Sequence, residues 1–234
     1  MIARLPGPPA KRAVKTVAET ASWIAALILL ILLVSLTSLI PNFLAKTFGQ
    51  PEETLAQGKF LVAASNLRDS NFSETVIYLV SYNTRGAMGI VVNRPTDVHL
   101  AGALPPLEDQ PHAQDNIYAG GPVGRSSMII LFRSNTLSLE NTLAVTEEIS
   151  ATSGLEHLAL LAQEATSQFR VHSGYAGWSP SQLDNEVTRG DWHVLPGDAE
   201  TLFGTNPASL WPTLIQRGVI EWTRLFRDKT AAAL

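Results

Sequence analysis

The 234-residue chain contains no cysteine. That absence excludes disulfides, thiolate metal sites and a cysteine nucleophile together, and it is compatible with either side of a membrane. Catalytic signatures are missing as well. There is no G-x-S-x-G elbow, no H-E-x-x-H helix, no G-x-G-x-x-G loop and no P-loop. His99, His112, His157, His172 and His193 show no ligand spacing, so neither a metal nor a cofactor is expected. Glu147 with Glu148, or Asp184 with Glu186, could pair as acid and base, but solvated carboxylates are far commoner. One stretch lacks charge altogether, since no ionised side chain occurs between Glu19 and Lys46.

That uncharged stretch reads WIAALILLILLVSLTSLI from Trp23 to Ile40. A helix of roughly 20 apolar residues spans a hydrocarbon core of about 30 Å. The expectation is one N-terminal transmembrane helix over residues 21–41, with the lipid bilayer as its partner. A basic tail (residues 1–20) precedes it and a polar linker (42–57) follows. Arg4, Lys11, Arg12 and Lys15 precede the span, which favours a cytoplasmic N-terminus at a bacterial inner membrane and a periplasmic domain over residues 58–234, with a cytoplasmic domain as the alternative. A cleaved signal peptide competes, but its apolar region is usually about 7–15 residues and ends in a small-x-small site.

Net charge limits the partners further. Residues 1–45 carry +3, from Arg4, Lys11, Arg12 and Lys15 against Glu19, so the remainder carries −7 of the chain's −4 total. An acidic domain without a compact basic stripe is a poor match for a phosphate backbone, so nucleic acid is not the expected partner.

Beyond Gly58 the chain is a series of short apolar runs. Lys59–Ala64, Thr75–Tyr82 and Ala87–Val92 read as strands, the last two joined by the Asn83-Thr84-Arg85-Gly86 turn into a hairpin. Both hairpin strands are apolar on both faces, which predicts a covered sheet. Ser127–Phe132, Leu143–Ile149, Phe169–Ser173 and Asp191–Leu195 read as further strands. Helices are expected over Gly154–Thr166, Pro180–Val187 and Pro207–Arg217, the last with Asn206 as cap and Gly218 past its end. The predicted class is mixed α/β (α+β): one compact domain with a mixed, mostly buried β-sheet flanked by helices, preceded by the membrane helix.

Three clusters could carry binding. Gly120-Gly121-Pro122-Val123-Gly124 is a tight loop whose amides could cradle an anion, although a plain turn is the favoured reading. Arg94, in Asn93-Arg94-Pro95 at a strand end, offers a planar fork to a carboxylate or phosphate, or to backbone carbonyls. Gly174–Leu183 places Tyr175, Trp178 and Gln182 at an expected strand-to-helix turn, with Ser179 as a possible cap and Pro180 at the first helical position.

Leu61–Pro95, Gly120–Val123 and GYAGWSPSQLDNEVTRGDWHVLPGD (Gly174–Asp198) together resemble the YqgE/AlgH family of bacterial proteins. The resemblance covers about Gly58 to Trp211. It implies a compact α/β fold and no settled biochemical activity. The family bears a label of transcriptional regulator, yet nothing in this chain resembles a DNA-binding motif. The family usually has prolines where Ser65 and Ser70 stand and a glycine where Ser181 stands. Carried over by motif, the shared cleft would be lined by Thr75, Asn93, Arg94, Gly120, Gly121, Tyr175, Trp178 and Gln182. The expected function is a membrane-tethered, non-catalytic binding or regulatory module for an unknown small ligand or protein partner. The alternative is a hydrolase or transferase acting on an anion between Arg94 and the Gly177–Gln182 turn.

Overall fold

A strand that is apolar at every position must bury both faces, and the three runs after Gly58 do so. A computed structural model describes residues 54–134 and 139–218. In it β1 (Lys59–Ala63), β2 (Val76–Asn83) and β3 (Gly86–Val91) form an antiparallel meander, with Leu61 opposite Ile77 and Ile77 opposite Val91. Successive side chains point to opposite faces of a sheet. Phe60, Val62, Val76, Tyr78 and Ile90 therefore enter one apolar cluster, and Leu61, Ala63, Ile77, Leu79 and Val91 enter another. Each such side chain contributes about 1.5–3 kcal/mol by leaving water.

The chain continues through β4 (Pro95–His99), α1 (Leu100–Ala103), β5 (Asn116–Ala119), β6 (Val123–Arg133), β7 (Leu143–Ala144) and β8 (Ile149–Thr152). Then come α2 (Leu155–Gln163), β9 (Phe169–Trp178), α3 (Gln182–Arg189), β10 (Trp192–Pro196) and α4 over residues 207–218. The sheet order is β10-β1-β2-β3-β9-β6-β8-β7, with β5 also paired to β9 and β4 to β5. The spine is β9. Its C-terminal half pairs with β3 (Gly89 opposite Ala176), its N-terminal half with β5 (Ile117 opposite Val171), and β6 runs along its other edge. A third apolar cluster, including Leu158, Leu161, Ile130 and Phe169, fills the space between α2 and this part of the sheet.

These observations correct the expected fold class. Every strand pairing but β5–β9 is antiparallel, and the helices are few and short, so the domain is a mostly antiparallel sheet rather than a mixed α/β sheet flanked by helices. The misreading arose because strands buried on both faces look alike whether their neighbours run parallel or antiparallel. Among the described residues no helix is long and apolar enough to cross a membrane. The span expected over residues 21–41 lies outside the described residues.

Two local expectations also change. Leu143–Ile149 is not one strand but two, β7 and β8, paired antiparallel. The Gly174–Trp178 cluster is not a turn, because β9 continues through it to Trp178. Alternate positions there, Gly174, Ala176 and Trp178, are buried, as the two-residue period of a strand requires. The helix begins later than expected, at Gln182, with Ser181 as its cap at φ +60° and no side-chain cap hydrogen bond.

Candidate functional site

Where β3 ends, the chain turns through Asn93 and Arg94 into β4. Asn93 holds that turn to β2: its Oδ1 accepts the Val76 amide at 2.9 Å and its Nδ2 donates to the Glu74 carbonyl at 2.9 Å. Arg94 extends the clamp, with Nη1 donating to Asn71 O at 2.7 Å and Nη2 to Ser73 O at 3.0 Å. Between these anchors Glu74 sits at φ +55°, a left-handed conformation that a non-glycine residue keeps only when its surroundings enforce it. Thr75 is fully buried, and its hydroxyl donates to Phe72 O at 2.7 Å.

The Gly120-Gly121 segment lies across the top of β5, between β3 and β9. The Gly120 amide donates to Ser173 O at 2.8 Å, and its carbonyl accepts the Val91 amide at 2.8 Å. Gly121 takes φ +155°, and a Cβ there would collide with the backbone of Tyr175. Only glycine permits this approach. The next strand then bulges. Val123 lies opposite Tyr175, but the following register pair is Met128 opposite Ser173, so the intervening residues leave the ladder and carry Arg125 outward. The Ser173 hydroxyl donates to the Arg125 carbonyl and holds the bulge against β9.

These elements enclose a cleft of about 260 Å³, lined among others by Asn71, Arg94, Thr96, Gly121, Arg125 and Ser173. Two arginines, Arg94 and Arg125, line it and no acidic residue does. Both lining hydroxyls already donate to carbonyls, Thr96 to Ile117 O at 2.7 Å and Ser173 to Arg125 O. Arg94 also borders a neighbouring groove of about 330 Å³ with Ser73, Glu74, Asn93, Pro207 and Trp211.

The expected site residues do not all meet. Arg94 and Gly121 share the first cleft, and Asn93 joins Arg94 in the groove. Gly120 lies beside the first cleft as a backbone bridge, and Thr75 is structural. Tyr175 is half-buried, packs against the main apolar cluster and lies beside Gly124. Trp178 and Gln182 line neither of the cavities that Arg94 borders. They meet instead at Glu186, whose Oε2 accepts Trp178 Nε1 at 2.8 Å and Trp192 Nε1 at 2.9 Å, and whose Oε1 accepts Gln182 Nε2 at 3.0 Å. Asp184, on the same helix, accepts the Tyr82 hydroxyl at 2.6 Å, which raises the phenol pKa. Sequence reasoning missed Arg125 and Ser173. The signal for Arg125 was its place directly after Gly124, itself at φ +57°, where a chain leaves regular pairing.

Comparison with known proteins gives this geometry a family. A family model described as AlgH-like matches residues 60–223. A UPF0301 protein of Methylococcus capsulatus is 38% identical over 163 residues, covering 66% of this chain and 86% of that protein. A UPF0301 protein of Marinomonas sp. is 38% identical over 175 residues, covering 72% and 92%. Among solved structures, the AlgH protein of Pseudomonas aeruginosa superposes with a TM-score of 0.60 at 32% identity, covering 73% of this chain and 92% of that one. A Corynebacterium diphtheriae protein matches with a TM-score of 0.60 at 22% identity, which speaks to the fold alone. The chain belongs to the AlgH-like family.

Proposed function

We propose that the domain is a non-catalytic binding module whose cleft between Arg94 and Arg125 takes a small anion. The observation that carries this reading is a pair of arginines in a lining with no acidic residue. Arg94 spends part of its fork on Asn71 and Ser73, while the Arg125 guanidinium is exposed and has no protein partner among the described residues. A planar guanidinium matches carboxylate and phosphate oxygens, and hydrogen bonds to charged groups are worth about 1.5–3 kcal/mol. Binding rather than turnover is favoured because the lining contains no histidine or acid to take a proton from Ser173 or Thr96.

The test is calorimetric titration of the full chain with inorganic phosphate and with citrate. Saturable binding is expected for at least one, and Arg125→Gln is expected to weaken it by about tenfold or more. Arg125 is chosen because its side chain holds no part of the fold together, unlike Arg94. No binding of either anion, or unchanged affinity in Arg125→Gln, overturns the reading. Turnover of p-nitrophenyl phosphate or acetate that disappears in Arg125→Gln would replace it with an enzyme.

A further inference from the structure

Arg170 is the second residue of β9 and is only 9% exposed. The carbonyls of Val92, Thr205 and Phe203 accept hydrogen bonds from it at 3.2, 3.1 and 3.4 Å. The Tyr118 ring packs against the guanidinium, its centroid 5.1 Å from Cζ. No carboxylate forms an ion pair with Arg170 among the described residues. Carbonyl oxygens satisfy N–H donors but do not cancel a charge, and buried arginines are almost always paired.

The neighbouring groups do not supply the missing charge. His172 lies on the same face of β9, fully buried, with its ring 5.4 Å from that of Tyr118 and with neither ring nitrogen hydrogen-bonded. Burial and the adjacent Arg170 cation push its pKa down to about 3, so the imidazole stays neutral. Burial likewise raises the Tyr118 phenol, which stays protonated although Arg170 pulls the other way.

A cavity of about 300 Å³ opens beside this cation, lined in part by Asn116, Tyr118 and Arg170 and by the apolar Leu100, Phe169 and Phe203. Asp115 also lines it, as the only acid, but is half exposed and already paired with His112 Nδ1 at 2.8 Å. None of the residues lining this cavity lines the Arg94–Arg125 cleft.

We propose that this cavity is a second ligand site, taking a small molecule whose single oxyanion, a carboxylate or a phosphate, sits against Arg170. The volume lies at the lower end of the range for ligand pockets, roughly 300–1,000 Å³, so the ligand is small. Little apolar surface faces the cavity, since Leu100 is 1% and Phe169 8% exposed, so recognition rests on the head group. Asp115 at the wall repels a second negative group, so a monoanion binds better than a dianion of the same length.

The test follows the arginine side-chain N–H resonances of the full chain by NMR, in an Arg125→Gln background that silences the first cleft. The probes are butyrate, succinate and inorganic phosphate, and the Arg170 signal is identified by its loss in Arg170→Lys. Butyrate or phosphate is expected to shift that signal saturably, whichever of the two it is naming the head group, and succinate is expected to bind several-fold more weakly than butyrate. Because changing Arg170 can unfold the sheet, a second variant leaves it in place. Gln114 is an exposed residue at the wall, and Gln114→Trp should occlude the cavity and weaken binding tenfold or more. An unmoved Arg170 signal with butyrate and phosphate, tighter binding of succinate than butyrate, or unchanged affinity in Gln114→Trp overturns the proposal. Loss of binding at Arg125 in the parent chain leaves these outcomes unaffected, so the two sites stand or fall separately.

Discussion

Replacing Glu186 with leucine tests the reading that this carboxylate is a structural acceptor rather than an acid or base. It receives the Trp178 and Trp192 indole N–H groups and the Gln182 amide at 2.8, 2.9 and 3.0 Å. Both indoles are buried, at 6% and 3% exposure, and the Phe72 ring closes over them at centroid distances of 6.4 and 5.8 Å. Water therefore has little room to replace the lost acceptor. Each unpaired buried donor costs about 1–3 kcal/mol, so the two indoles together cost about 2–6 kcal/mol. Partial burial of the new leucine returns about 1 kcal/mol, leaving a net loss of about 1–5 kcal/mol. For a domain of this size that lowers Tm by on the order of 10 °C. Glu186→Gln keeps one acceptor oxygen but loses the charge, and should cost about half as much because charge-assisted bonds are roughly twice as strong as neutral ones. Urea unfolding followed by tryptophan fluorescence reads the difference directly, since two of the reporting indoles are the donors in question. A leucine variant within about 0.5 kcal/mol of the parent, or a glutamine variant as damaged as the leucine, would refute the reasoning.

Three further predictions rest on single contacts. His172 is buried neutral with its pKa lowered to about 3 from 6.5, and burial lowers His193 as well, so the unfolded chain binds the extra protons. Stability is therefore full above about pH 6.5 and falls as pH drops, with His172 contributing up to about 1.4 kcal/mol per pH unit down to about pH 3 and His193 adding in the same direction. His172→Leu should remove its share of that slope, and an unchanged slope between pH 6 and 4 would contradict the assignment. Gly121→Ala should cost more than about 3 kcal/mol, because its methyl meets the Tyr175 backbone rather than a movable side chain; thermal unfolding measures it, and a variant as stable as the parent would show that the segment can shift. Asn93→Ala should cost about 2–4 kcal/mol by unpairing the Val76 amide and the Glu74 carbonyl, and proteolysis should then cut the loop containing Asn71 and Ser73 faster than in the parent.

Much of the strand pattern was legible. The runs at Lys59, Thr75 and Ala87 stand as β1, β2 and β3 within a residue or so, because β-branched and aromatic residues between turn signals leave few alternatives. The helix after Asn206-Pro207 forms as its cap and first-position proline imply, with Asn206 Oδ1 accepting the Ala208 amide at 3.0 Å. By contrast, β4 and β5 were not read at all. Four of the five residues of β4 are exposed, so it lacks the apolar alternation that marks a half-buried strand. The glycines of GYAGW suggested a turn because flexibility in sequence does not distinguish a bend from a close-packed strand. In the structure Gly174 faces the carbonyls of Gly121 and Val123, where a Cβ would come within 2.6 and 2.8 Å.

The candidate site divided in the same way. Arg94 and Gly121, which line one cleft, were both singled out from the sequence because a fork-bearing residue at a strand end and a glycine loop are local signals. Arg125 was not read, because its only local signal is the preceding Gly124, while the bulge itself is a relation between β6 and β9. Trp178 and Gln182 were grouped with Arg94 by carry-over from the motifs of the resembled family, while their side chains are turned toward Glu186.

What the sequence determined by itself is local and compositional: no thiol chemistry, an acidic domain, the strand-forming runs, the α4 cap and the membership of a family through blocks of fixed order and spacing. The tertiary structure decided which strands pair, that all but one pair antiparallel, and which cations share a cavity. The physical reason is that the two-residue period of a strand assigns each side chain to a face but names no neighbour across the ladder. Neighbours are chosen by long-range contacts, and it is those contacts that leave Arg94 and Arg125 around one cleft and Arg170 buried without a counter-charge.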